Sequence, residues 1–249
     1  MTTARNVLCL LATMWVIALA LAEHKLPAGW ETCKASGANL NKCLQSAITK
    51  AVKDLGKGNT DLGIAPLDPL KVGSIHLNRG GNGPLNIDMT FSDAEVSGAN
   101  LAKLETVRAD LAKGRIMMDF KVPTITLVSK YKTRGRVLVI PINGEGRANI
   151  RMDNVQIKLN LQGHKQQQGG KDFFNVENVE FDIIPQKTAF KFVNPAHAQQ
   201  AELLSRVVSE NDKSIMQEMR PSIAAAFAKR IKTYVSPVFD IPYDELFPQ

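Results

Sequence analysis

The side chains with reactive chemistry are few and scattered. The chain holds three cysteines, Cys9, Cys33 and Cys43, and four histidines, His24, His76, His164 and His197. Cys33 and Cys43 stand in a C-x9-C spacing with no histidine or second cysteine pair beside them to complete a zinc set. A disulfide formed in an oxidising compartment is the simplest chemistry for such a pair, ahead of a redox or metal role. Loop-closure entropy gives so short a bridge about 2 to 3 kcal/mol, enough to tie down one local segment. The histidines lie far apart in polar or turn contexts and predict no metal centre. Gly144-Glu145-Gly146 follows the apolar stretch 137–142, read as a strand. The third glycine of a dinucleotide fingerprint is missing there and another strand follows, so these glycines are expected to make a turn and a bulge. No nucleophile elbow, zinc-protease helix, phosphate loop or calcium loop occurs, and pairs such as Glu177 with Glu180 or Asp244 with Glu245 read as solvated acids. The expectation is a protein with no catalytic residue, no metal and no cofactor.

Residues 1–22 stand apart from the rest. One positive charge lies within Met1 to Arg5, then 7–22 are apolar except for Thr13 and end in Ala20-Leu21-Ala22, the small-residue pattern that signal peptidase requires. This predicts a cleaved secretory signal, with a retained anchor as the alternative, and a mature chain of residues 23–249 from which Cys9 is gone. Beyond residue 22 no apolar run approaches the ~18 residues needed to span a bilayer, so no stable membrane insertion is expected. The net charge of +7 becomes +6 once Arg5 leaves. Its basic residues form no run of five or more and carry no interleaved aromatics, which reads as solvated surface and excludes nucleic acid as a partner. Secretion is expected without N-glycosylation, since no Asn-x-Ser/Thr sequon exists.

The elements that must position these residues change period twice along the chain. Leu40, Cys43, Leu44, Ala47, Ile48, Ala51, Val52 and Leu55 have the spacing of an amphipathic helix, ended by Gly56 and Gly58. Period two then persists for over 100 residues. Leu85 to Phe91, Ile116 to Val122, Ala148 to Met152, Val155 to Leu161 and Val179 to Ile183 alternate apolar and polar side chains, as half-buried antiparallel strands do. Turns are expected at 78–83, 112–114, 133–135, 143–144 and 163–170, the last a mobile tip carrying Gln166, Gln167 and Gln168. After Pro195 the helical period returns, in Leu203, Leu204, Val207 and Val208 and then from Ile215 to Tyr234. Pro221 interrupts that second stripe and predicts a kink or a break.

One amphipathic helix, a long series of strands and a long C-terminal helix make an α+β fold in which a curved antiparallel sheet buries one face against the helix. The interior is aliphatic residues, Met and Phe. It is either an ordinary packed core or an apolar tunnel whose flexible walls include Met89, Met117, Met118, Met152, Met216 and Met219.

Several segments in order resemble the takeout and juvenile-hormone-binding protein family of insects. They are the signal followed by the two cysteines, the helix leading into Leu62-Gly63-Ile64-Ala65-Pro66-Leu67-Asp68-Pro69-Leu70, and Tyr131-x3-Gly135 before Val137-Leu138-Val139-Ile140-Pro141-Ile142-Asn143-Gly144-Glu145-Gly146. A helix carrying Pro221 and the terminal Ile241-Pro242-Tyr243-Asp244-Glu245-Leu246-Phe247-Pro248 complete the set. The resemblance covers nearly all of residues 23–249 as a single domain. It implies the tubular lipid-binding fold, a strongly curved antiparallel sheet wrapped around one long helix, with a hydrophobic tunnel and no reaction. It further implies a secreted, monomeric carrier of a terpenoid, juvenile-hormone-like, fatty-acyl or quinone-like molecule, serving hormone, feeding, chemosensory or circadian signalling, with a cell-surface receptor as a further partner. Having only the N-terminal cysteine pair, the chain resembles the takeout branch more than the hormone carriers. Tyr131 falls where the family places a tyrosine that reaches a ligand's polar group, or else it anchors the turn at Gly135. Expected tunnel walls are Ile125, Leu127, Val139, Ile223, Phe227, Ile231 and Tyr234, with Leu44 and Ile48 near the N-terminal mouth. A membrane-surface or defence protein acting on anionic membranes is the competing reading.

Overall fold

The computed structural model describes residues 24–81 and 85–249, so the expected signal lies outside the described residues. Helix α1 (Leu40–Asp54) precedes strands β1 (Leu70–Arg79), β2 (Leu85–Ser97), β3 (Lys103–Asp110), β4 (Arg115–Val137), β5 (Ile140–Pro141), β6 (Gly144–Gln168) and β7 (Lys171–Val193). Helices α2 (Ala198–Glu210), α3 (Asp212–Phe239) and α4 (Tyr243–Leu246) follow. All seven strands form one antiparallel sheet in the order β1-β2-β4-β6-β7. Its spine is β4, which pairs with β3 through its first half and with β2 through its second.

Strands of 23 to 25 residues are far longer than the usual three to ten, and a twisted sheet of that length must curl. The curl has a visible hinge line. Pro123 of β4, Asn154 of β6 and Gln186 of β7 fall in one row across the sheet, where Asn154 adopts a positive φ of 49° and its side-chain amide donates to Gln186 Oε1 at 2.9 Å. The inward series slips by one position in each strand at this row. It passes from Val122 to Ile125, from Met152 to Val155, and from Ile183 to Thr188. A bend that shifts the phase keeps the apolar side chains on the concave face while the strand changes direction.

Helix α3 closes the trough. It spans the gap between the two sheet edges, held to β1 by Arg79 on Glu218 at 2.7 Å and by the Ser222 hydroxyl donating to Asn78 O. On the β7 side Arg220 pairs with Asp182, and Lys232 Nζ donates to Glu177 O. Pro221 does not break this helix, which runs on through Pro237 as well. The carbonyl that Pro221 deprives of a partner belongs to Gln217, and both residues lie on the exposed stripe, so the group is not orphaned in a buried site. Helix α2 covers the end of β7, its Ser205 and Ser209 hydroxyls accepting from the backbone N–H of Phe192 and Phe190.

Four expectations are corrected by the pairing. Residues 133–135 and 163–168 are not turns; both run within strands, and the β6–β7 tip is Gly169-Gly170 alone. The stretch 137–142 is not one strand but a hairpin, because Val137 pairs with Ile140 across the two-residue turn Leu138-Val139, Leu138 holding φ 54°. Gly144 and Gly146 open β6 rather than forming a turn and a bulge. A Cβ on Gly146 would strike Val193 O of β7 and stand 3.1 Å from the Tyr131 ring, so the glycine lets the neighbouring backbone and that side chain approach.

Candidate ligand-binding cavity

The concave face does not close solid. Inward side chains of β1, β2, β4, β6 and β7, with α2 and α3 above them, enclose a cavity of about 300 Å³ in which every lining residue is aliphatic, Met or Phe. That volume is at the lower end of the roughly 300 to 1,000 Å³ typical of small-molecule sites, and a cavity walled this way stays dry. We refer to the end bearing the β4–β5 hairpin as the turn end. At the opposite, disulfide end a second cavity of about 210 Å³ lies among the N-terminal segment, α1, the first half of β4 and the last turns of α3. Val52, Phe120 and Leu159 line both cavities, so the two chambers meet at these three side chains.

The walls are set from the chain upward. Alternation on the strands sends Ile125, Leu127, Phe181 and Phe190 inward, and the helical period of α3 sends Ile223, Phe227 and Ile231 down to meet them, with Phe227 and Phe181 stacked at 5.8 Å. Met89, Met152, Met216 and Met219 line the larger chamber and Met118 the smaller, whereas Met117 faces outward. Leu44 and Ile48 of α1 line the smaller chamber, beneath Leu26 and Trp30. Cys33 and Cys43 form a disulfide, and the segment it anchors is also tied to the C-terminus by Cys33 N–H donating to Leu246 O and Ala35 N–H to Pro248 O.

Two expected wall residues stand elsewhere. Val139 is 90% exposed at the tip of the β4–β5 hairpin: strict alternation would put it on the same face as Val137, but the turn between them carries it out of the sheet. Tyr234 packs instead in a small cluster with Leu55, Leu62, Ile64 and Ile241. Phe120, Leu159 and Val52, the shared residues, were not singled out as wall, although the first two lie on inward positions of their strands and Val52 on the apolar stripe of α1.

Tyr131 is buried but borders neither cavity directly. Its ring meets Phe192, a cavity residue, edge-on at 5.1 Å, and its strand neighbour across the sheet is Phe91, another. Burial pushes its phenol pKa up, since ionisation there would place a charge in apolar surroundings. Ser129 and Thr133 flank it on the same inward face, and their buried hydroxyls have no hydrogen-bond partner. These three hydroxyls form a polar spot one layer behind the hydrocarbon wall. Among the described residues no group of three or more His, Cys, Asp or Glu converges as a metal site does.

Known proteins resemble this chain in fold or in sequence. The crystal structure of Takeout 1 from Epiphyas postvittana superimposes with a TM-score of 0.77 at 21% identity, covering 88% of this chain and all of that one, which shows the fold. The circadian clock-controlled protein daywake is 23% identical over 252 residues in Drosophila yakuba, covering 94% of this chain and 95% of the relative. The Drosophila melanogaster daywake is 23% identical over 253 residues, covering 94% and 92%. The model of the haemolymph juvenile hormone binding protein family matches residues 8–248. A match over nearly the whole length, on a chain whose sheet curls around an apolar cavity under one long helix, settles the kinship: this protein belongs to the haemolymph juvenile hormone binding protein family.

Proposed function

We propose that the protein is a secreted, non-enzymatic, monomeric carrier that takes a small hydrophobic ligand, a terpenoid or an acyl chain, out of water and into the larger chamber. The observation that carries this reading is a cavity of about 300 Å³ with a wholly apolar lining at the centre of the fold. Binding would draw on apolar burial, about 0.8 kcal/mol for each CH₂ removed from water. Orientation would come from the polar spot, where a ligand oxygen displacing the edge of Phe192 meets the Tyr131 hydroxyl; Ile125, Leu127, Ile223, Phe227 and Ile231 would grip the chain. Membership in a family described from haemolymph and the signal-like N-terminus support an extracellular site of action. The circadian naming of the daywake relatives supports a role in rhythmic signalling, with a cell-surface receptor as the receiving partner.

Native mass spectrometry of the protein from its own tissue tests the reading. Recovery with a stoichiometric apolar molecule is the expected result. An empty protein that takes up no fatty acid or terpenoid in solution would overturn it.

A further inference from the structure

The basic residues that form no run in the sequence are gathered by the fold. Lys130, Lys132, Arg134 and Arg136 alternate along the last third of β4, and the strand's period of two points all four out of the sheet, exposed, while Ser129, Tyr131, Thr133 and Val137 point in. Arg147 of β6 sits directly across from Lys130, and Lys191 of β7 joins the field one strand further on. Opposed like charges destabilise a strand pair, so the Lys130–Arg147 pairing is a cost the fold tolerates. Four carboxylates answer these six cations, one of them Glu95 of β2, exposed directly across from Val128. Asp93 pairs with Lys130 at 2.8 Å, Glu145 sits across from Lys132, and Asp88 across from Arg134, where it also lies 3.7 Å from His76.

Apolar side chains are set into this cationic face. Val128 is 49% and Val193 43% exposed beside the charged rows, and Val139 stands 90% exposed on the turn that follows Arg136. The two inward residues flanking that turn, Val137 and Ile142, line the larger chamber. The hairpin is therefore the end wall of the cavity on its inner side and an apolar tip beside a basic field on its outer side.

We propose that this face docks the protein peripherally on an anionic lipid bilayer, with the Leu138-Val139 turn entering the headgroup region so that the turn end of the cavity opens at the membrane. The docking surface stands on charge and exposure alone; the opening of the cavity there rests on the carrier reading. The mixture of cations and bare valines favours a bilayer over a polyanion, which would meet the charges and leave the valines wet. Each Lys or Arg near an anionic surface strengthens binding about fivefold, and the gain is screened by salt.

Co-sedimentation with phosphatidylcholine vesicles, pure or mixed with phosphatidylserine, tests the proposal. The protein should bind mixed vesicles and not neutral ones, with affinity falling as salt rises. K132E/R134E should weaken that binding by about tenfold or more, and the uncharged Val139→Ser should weaken it several-fold with the salt dependence unchanged. Both variants should still take up anthroyloxy-stearate in vesicle-free buffer, since the altered residues face away from the lumen. Transfer of that probe from mixed vesicles to the protein should slow in Val139→Ser. Absence of binding to anionic vesicles, or retention on heparin with no vesicle binding, overturns the docking surface. Vesicle binding by a protein that takes up no anthroyloxy-stearate would leave the docking surface standing and remove the carrier reading with its portal.

Discussion

Replacing Phe120 by alanine removes the largest of the three side chains shared by the two cavities. The substitution joins chambers of about 300 and 210 Å³ into one, at a position only 8% exposed. Truncating a buried phenylalanine costs about 3 to 5 kcal/mol, and the loss here should fall near the lower figure because empty space already adjoins the ring on two sides. For a domain of this size that lowers the Tm by roughly 6 to 12 °C. The effect on binding has the opposite sign for long ligands. Each further CH₂ buried is worth about 0.8 kcal/mol, close to fourfold in Kd. In the parent protein the gain from lengthening a linear fatty acid should stop once the larger chamber is full; in Phe120→Ala it should continue for several more carbons. Competition of a homologous fatty-acid series against anthroyloxy-stearate reads this directly. If parent and variant show the same break in the plot of log Kd against chain length, the chambers do not communicate through Phe120 and the reasoning fails.

Tyr131→Phe should weaken a ligand bearing a hydroxyl, ester or carboxyl group by about fivefold, the net worth of one hydrogen bond, and leave a pure hydrocarbon of equal length unchanged; equal losses for both would assign Tyr131 to packing alone. Replacing Cys33 and Cys43 together by alanine should cost about 2 to 3 kcal/mol, a fall of roughly 4 to 12 °C in Tm by differential scanning calorimetry, and should loosen the smaller chamber more than the larger. Burial raises the pKa of Tyr131, Tyr234 and Tyr243 above the ordinary value of 10.0, so the folded state holds protons that the unfolded state has released. Stability should therefore be independent of these groups below about pH 10 and decline as pH rises through the folded values. An alkaline absorbance titration in which the native protein ionises like free tyrosine would contradict this.

Alternation made most of the wall legible. Ile125 and Leu127 were readable because inward residues on a strand must be apolar over an apolar lumen, and Ile223, Phe227 and Ile231 because the same holds on a helix of period 3.6. Val139 misled for a physical reason: a two-residue turn of Leu and Val carries no glycine, asparagine or proline, so nothing in its composition separates it from the strands on either side. Gly135, by contrast, looks like a turn residue but holds a positive φ of 126° inside β4, where a Cβ would strike Asn86 O. The basic field is not legible in the sequence because contiguity is the wrong measure on a strand, where side chains two apart are neighbours and their partners come from another strand altogether. The disulfide is legible in the cysteine number and the signal-like N-terminus; that its loop roofs a second chamber depends on contacts with the C-terminus some 200 residues away.

Beyond its first turn, where Ser214 is exposed as well, helix α3 meets solvent along a single line, Lys213, Gln217, Pro221, Ala225, Lys229 and Thr233, at intervals of four residues. Its other faces are committed in turn to the β7 edge, the lumen and the β1 edge. Tolerance to substitution along this helix should therefore have a four-residue rhythm, and the two kinds of constraint beneath it are separable. Changes at the edge-facing positions should alter how firmly the trough is closed, whereas changes at Ile223, Phe227 and Ile231 should, on the carrier reading, alter what it holds. On the carrier reading, the cargo can therefore be changed by redrawing a single helix stripe, leaving the hydrogen-bonded sheet as it was.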